Sequence, residues 1–152
     1  MRYLTFLAAC CSLLLFSCAK TLSPEEQFQE DLQKIDDYLA ANGLTAESTP
    51  SGLHYIITKE GTGNHPTLQS TVTVKYKGYR LDGSVFDETT GSETVQFSLA
   101  GVIFGWQEGI PLLKKGGKGT LLLPSYLAYG PSGYGPIAPN TVLLFDVELV
   151  DF

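Results

Sequence analysis

From Leu53 onward the apolar pattern of this chain runs at a period of two, which calls for half-buried strands and leaves no room for a helical bundle. The clearest run is residues 71–77, where Val72, Val74 and Tyr76 face one side and threonine or lysine alternates with them. Residues 54–59, 94–99, 118–123 and 141–150 are further strand candidates. Asp82-Gly83 is a two-residue hairpin signal that returns the chain into residues 84–87. One short helical segment interrupts the strands around residues 105–113. Gly109 and Pro111 make it weak by propensity, so packing must hold it. The expectation is an α+β fold, an antiparallel curved sheet of five to six strands wrapped on one short helix.

Ahead of this sheet the pattern is helical. Ser23-Pro24-Glu25-Glu26 combines an N-cap, a proline at the first helical position and an acid at the third. Phe28, Leu32, Ile35 and Leu39 then form one apolar stripe, and Asn42-Gly43 supplies the stop. Glu25, Glu26, Glu30, Asp31, Asp36 and Asp37 stand against Lys34 alone, so the helix reads as an acidic amphipathic one. Its favoured role is a spacer that packs its stripe on its own domain. That role is favoured because so short a helix is marginal without a packing partner; a dimerising helix, through residues 23–42, or a substrate-gripping one is the competing reading. Residues 45–52, with Pro50 and Ser51-Gly52, read as a linker.

The first residues have the form of an export signal: Arg2, then an apolar core from Leu4 to Phe16 that is too short to span a bilayer, which takes ~20 residues. The core ends in Leu15-Phe16-Ser17-Cys18, which resembles a bacterial lipobox whose cysteine takes the lipid. Cys10 and Cys11 would leave with the leader and no cysteine follows Cys18, so the mature chain has no internal disulfide to form. The expected organisation is a signal peptide over residues 1–17, an anchor, acidic helix and linker over 18–50, and one domain over 51–152. The expected location is outside the cytoplasm, tethered by Cys18 to a bacterial membrane, the outer one by preference, with the domain in the periplasm or at the cell surface.

Several chemistries are disfavoured. The net charge is −6 and no basic face exists to meet a run of phosphates, so nucleic acid is not an expected partner. The two histidines, His54 and His65, have no supporting motif, which leaves neither a catalytic triad nor a metal-ligand spacing. The run from Lys114 to Gly119 lacks the serine or threonine that a phosphate loop needs after its lysine. No second carboxylate faces Asp87 as a glycosidase would require, since its neighbour Glu88 points to the other face of a strand. No cofactor or metal is expected.

What remains is a set of aromatic residues at inward-facing strand positions and loop mouths: Tyr76, Phe86, Phe97, Trp106, Tyr129 and Phe145, with Phe97 read as plain core filling. Their surroundings are Val74-Lys75-Tyr76-Lys77-Gly78, Asp82-Gly83-Ser84-Val85-Phe86-Asp87, Phe97-Ser98-Leu99, Val102-Ile103-Phe104-Gly105-Trp106, Leu123-Pro124, Ala128-Tyr129-Gly130 and Leu144-Phe145-Asp146-Val147. In that order they resemble an FKBP-type peptidyl-prolyl cis-trans isomerase domain, over residues 52–152. The resemblance implies an FKBP-like fold and the activity of that family on proline-containing segments of unfolded or exported proteins. It implies Trp106 as the floor under a proline ring, with Tyr76, Phe86, Val102, Ile103 and Phe145 as walls. The Tyr129 hydroxyl and the Ile103 N–H would be donors to the substrate and Asp87 an anchor for polar groups at the edge. Tyr134 and Ile137 would cover the mouth. Val95 stands at a wall position where the family often has an aromatic residue, Ala138-Pro139 replaces a Pro-Pro pair, and the covering loop is shorter by about one residue.

The physics of such a pocket suits rotation about an amide. The planar X-Pro amide keeps a polarised oxygen that water stabilises, whereas the twisted transition state has lost resonance, so a dry pocket raises the ground state relative to it. Against a barrier of ~18–20 kcal/mol, a million-fold acceleration needs roughly 8 kcal/mol of differential stabilisation. A non-catalytic chaperone or peptide-binding module using the same groove is the alternative reading. A lipoprotein whose fold serves only to hold a partner is a third.

Overall fold

The computed structural model describes residues 21–152, so the leader, the lipobox and Cys18 lie outside the described residues. The first element, α1 (Pro24–Ala41), begins as its sequence requires. The Ser23 hydroxyl accepts the Glu26 N–H at 3.2 Å and the Glu26 carboxylate accepts the Ser23 N–H at 2.8 Å, closing a reciprocal capping box. Asn42 ends the helix, its N–H bonded to the Tyr38 carbonyl at 3.1 Å.

Seven strands follow: β1 (Glu47–Ser48), β2 (His54–Lys59), β3 (Thr71–Arg80), β4 (Val85–Glu88), β5 (Val95–Ser98), β6 (Lys118–Leu123) and β7 (Leu143–Asp151). They form one antiparallel sheet in the order β1-β2-β6-β7-β3-β4, with β5 also pairing β3. The expected α+β architecture with its curved sheet and short helix is therefore present. Two details differ. The stretch read as a linker contributes the edge strand β1, which pairs with His54 and Tyr55. The Asp82-Gly83 hairpin closes as a three-residue loop, with Arg80 N–H on the Ser84 carbonyl at 3.0 Å and Gly83 at φ +81°.

Curvature comes from irregular pairing at Ile57/Lys59, Thr73/Val74 and Gly78/Tyr79, since bulges bend and twist the strand that carries them. β3 is split between two partners, β5 along its first half and β4 along its second, so the sheet opens a mouth between them. Helix α2 (Phe104–Gly109) lies across the concave face, shorter than the expected segment because the chain tightens into a 3-10 turn, Ile110–Leu112, at Pro111. Its two glycines explain how a poor helix former holds its place. A methyl on Gly109 would sit 2.6 Å from a Leu121 methyl, and one on Gly105 would overlap Leu123. Only glycine lets the helix backbone lie that close to β6.

The main core joins Val72, Val74, Leu99, Leu113, Leu121, Leu123, Val147 and Leu149 to Trp106 and Ile110 under α2. A second cluster on the other face holds Ile35 and Leu39 of α1 against Leu122, Val142 and Leu144. The helix therefore packs its stripe on its own domain. One acid does not stay on the solvated side: Asp31 is fully buried. In helical phase it lies with Phe28 and Ile35, on the stripe itself.

Candidate active site

The aromatic residues converge at the mouth left by the split of β3. A cleft of about 300 Å³ is lined by Tyr76 of β3, Phe86 and Asp87 of β4, Phe97 of β5, Gly101, Val102, Ile103 and Trp106 around the start of α2, Tyr129, Tyr134, and Phe145 of β7. Trp106 is its centre. Three rings meet the indole edge-on, Tyr76 at 5.2 Å, Phe145 at 5.4 Å and Phe97 at 5.6 Å between centroids, and Phe86 meets Phe145 at 5.6 Å. Edge-to-face contact suits the ring quadrupoles, so the box is held by its own walls. Gly78 lies beneath the Phe86–Phe145 pair, where a Cβ would come within 2.6 Å of the Phe86 ring.

Of the residues that the sequence assigned to this site, Tyr76, Phe86, Asp87, Val102, Ile103, Trp106, Tyr129, Tyr134 and Phe145 are together in the cleft. Two are not. Val95 pairs with Val74 on β5 and does not line the cleft. Ile137 is buried in the main core, under the covering loop and not at its mouth. Phe97 departs in the other direction: read as core, it is half-buried and forms a wall, because β5 pairs with the first half of β3 and turns its ring toward Trp106.

The polar groups have separate positions. The Tyr76 hydroxyl donates to Asp87 Oδ2 at 2.5 Å, so Asp87 holds Tyr76. Burial, and then that bond, push the Tyr76 hydroxyl far above its ordinary pKa. Tyr129 has no partner for its hydroxyl among the described residues. Burial raises its pKa first, with Tyr134 and Asp87 adding to the effect, so it stays a protonated donor at neutral pH. Tyr134, mostly exposed, stacks on it at 5.2 Å and 14°. Ile103 is the N-cap of α2, and its carbonyl takes the N–H groups of Trp106 and Gln107. No acceptor among the described residues takes its own N–H, and Ile103 is one of the residues lining the cleft.

Two supporting residues escaped the sequence reading. Gln107 Nε2 donates to the Val102 carbonyl at 2.8 Å and fixes the segment leading to Ile103. Arg80 lies over the Phe86 ring at 5.6 Å and donates to the Pro136 carbonyl at 2.8 Å, tying the covering loop to β3. In sequence Gln107 is only the polar neighbour of Trp106 and Arg80 only the last residue of the strand ahead of the hairpin, so neither carried a site signal.

No histidine lines the cleft: His54 bonds the Gly52 carbonyl at 3.0 Å and His65 the Pro111 carbonyl at 2.8 Å. No metal-ligating cluster occurs among the described residues. A larger cleft, about 510 Å³, opens between α1 and the turn at residues 125–131. Its one tyrosine hydroxyl, on Tyr126, donates to the Ser51 carbonyl, and its buried acid, Asp31, accepts from Ser125.

A family model for FKBP-type peptidyl-prolyl cis-trans isomerases matches residues 62–150. A probable FKBP-type peptidyl-prolyl cis-trans isomerase FkpA from Neisseria meningitidis serogroup B is 50% identical over 122 residues, covering 78% of this chain and 45% of that protein. The outer membrane protein MIP of Legionella longbeachae is 40% identical over 128 residues, covering 80% of this chain and 54% of that protein. The crystal structure of FkpA from Escherichia coli superimposes with a TM-score of 0.73 at 40% identity, over 84% of this chain and 61% of that one. The chain thus spans about half the length of the curated relatives it matches.

Proposed function

This chain belongs to the FKBP-type peptidyl-prolyl cis-trans isomerase family, and from that premise we propose that it accelerates X-Pro bond rotation in exported proteins by desolvating the amide in the Trp106 cleft. The observation that carries the proposal is the cleft itself, an indole met edge-on by three rings with unspent donors at the rim. The proline ring lies on Trp106 between Tyr76, Phe86 and Phe145. The Tyr129 hydroxyl and the Ile103 N–H hold substrate carbonyls and orient the chain while the prolyl bond turns. Asp87 takes no proton from substrate; it fixes the Tyr76 wall. No bond breaks, so no acid, base or nucleophile is needed.

A protease-coupled assay on Ala-Pro and Leu-Pro peptides tests this reading. Wild type is expected to raise the isomerisation rate, and Trp106→Ala and Tyr129→Ala each to remove most of the gain. Tight peptide binding without a rate gain would instead make the protein a binding module. The slow step it acts on is one that limits folding, tens to hundreds of seconds at 25 °C.

The setting follows from the N-terminal residues and is likewise a proposal: lipid on Cys18, and a domain held at a bacterial membrane outside the cytoplasm. No helix among the described residues is long and apolar enough to cross a membrane, which is compatible with a lipid tether. Ile35 and Leu39 are spent on the sheet, which weakens the case for a dimer through residues 23–42. Sedimentation of the delipidated chain as a monomer at tens of micromolar would remove that case.

A further inference from the structure

We propose that Asp31, on the N-terminal helix and outside the family-matched span, is a positioning residue for Tyr129: it fixes the turn that aims the tyrosine hydroxyl at the substrate. The inference rests on the isomerase reading for the role of Tyr129. Asp31 and Ser125 are 0% and 2% exposed. A carboxyl group that deep is costly unless its oxygens are used. Here Oδ2 accepts both the Ser125 N–H at 2.8 Å and the Ser125 hydroxyl at 2.5 Å, and Oδ1 accepts Gln27 Nε2 at 2.8 Å.

Ser125 opens the 3-10 turn Ser125–Leu127, which is closed by Leu127 N–H on the Pro124 carbonyl and Ala128 N–H on the Ser125 carbonyl, both at 3.0 Å. Tyr129 follows it after one residue, Ala128. Helix α1 grips the same turn a second time, where Phe28 meets the Tyr126 ring edge-on at 5.4 Å, and the loop before β2 adds a third hold, the Ser51 carbonyl accepting the Tyr126 hydroxyl. Tyr129 is partly buried against the main core and stacks on Tyr134, which is 68% exposed, but its hydroxyl has no partner among the described residues. The aim of that hydroxyl therefore depends on where the backbone turn sets the ring.

Burial alone does not call for an acid on the apolar stripe, since a buried polar pair is often replaced by apolar residues without loss of stability. What the acid adds is direction. Two bonds from one oxygen to the backbone and side chain of one residue set the orientation in which the turn starts.

The test is a double-mutant cycle on kcat/KM with a Leu-Pro peptide, using Asp31→Ala, Tyr129→Phe and the double variant, together with amide hydrogen exchange at Leu127 and Ala128. If Asp31 acts through Tyr129, Asp31→Ala loses about tenfold, mostly in kcat, and the double variant is no worse than the weaker single variant. Asp31→Asn, which keeps an acceptor for the Ser125 N–H, recovers most of the loss. Losses that multiply, or an Asp31→Ala rate within about twofold of wild type, overturn the proposal. If wild type shows no isomerase activity, the functional reading fails by itself. The positioning claim is then decided by exchange: faster exchange at Leu127 and Ala128 with β3 unchanged supports it, and unchanged exchange there overturns it. Should Asp31→Ala not fold, Ser125→Ala, which deletes one of the two bonds, enters the same cycle under the same criteria.

Discussion

At the scale of single residues, the cleft is defined as much by what is missing as by its rings. Gly78 makes room for Phe86 and Phe145 to meet, and Gly78→Ala would drive the Phe86 ring toward the space of the substrate. Overpacking of this kind typically costs about 1–3 kcal/mol. The expected outcome is a lower denaturation midpoint together with a several-fold rise in KM, measured by urea titration and peptide kinetics. The titrating groups lead to a second expectation. Tyr76 and Tyr129 both keep their protons longer when folded than when unfolded, and no histidine faces the cleft. kcat/KM should then be flat from about pH 6 to 9. A raised folded-state pKa means that the stability these tyrosines contribute is whole below the unfolded value of about 10 and declines as pH rises beyond it. A pH–rate profile and an alkaline denaturation series check the two halves.

At the scale of elements, most of the strands and the capped helix were legible because each is a local pattern: Val72, Val74 and Tyr76 alternate, and Ser23 with Glu26 marks a helix start. Features that depend on pairing were not. Glu47 and Ser48 have no strand signature and become β1 only because β2 offers a free edge. Phe97 became a wall through the register of β5 on β3, which no local pattern discloses. Val95 is on the same short strand yet does not line the cleft, and Ile137, in the loop before β7, is packed into the main core. Asp31 was hidden differently, since counting it among the acids of α1 ignored its phase with Phe28 and Ile35, and phase was the signal that pointed to burial. The seat of α1 also leads to an outcome that can be measured. Ile35 is wholly buried against Leu122 and Leu144, so Ile35→Ala should cost about 2–5 kcal/mol. A urea midpoint unchanged by that substitution would mean that α1 is not part of the folding unit.

At the scale of the whole molecule, the proposed lipid tether, the helix and the cleft form one sequence of connections. Cys18 lies a few residues ahead of α1, α1 packs on the back of the sheet, and through Asp31 and Phe28 it grips the turn that bears Tyr129. The expected consequence of Cys18→Ser is a change of location without a change of chemistry. In cell fractionation the protein should leave the membrane fraction, while the purified domain keeps its kcat/KM. Retention in the membrane fraction would remove the lipid anchor from the account. In the proposed function the cleft turns prolyl bonds over and does more than hold them. Two-dimensional exchange NMR on a Leu-Pro peptide, with the protein at a small fraction of the peptide concentration, separates the two. Cis–trans exchange peaks are expected within a second, absent without protein and absent with Trp106→Ala. Line broadening from binding, with no exchange peaks between the cis and trans forms, would contradict the proposed function.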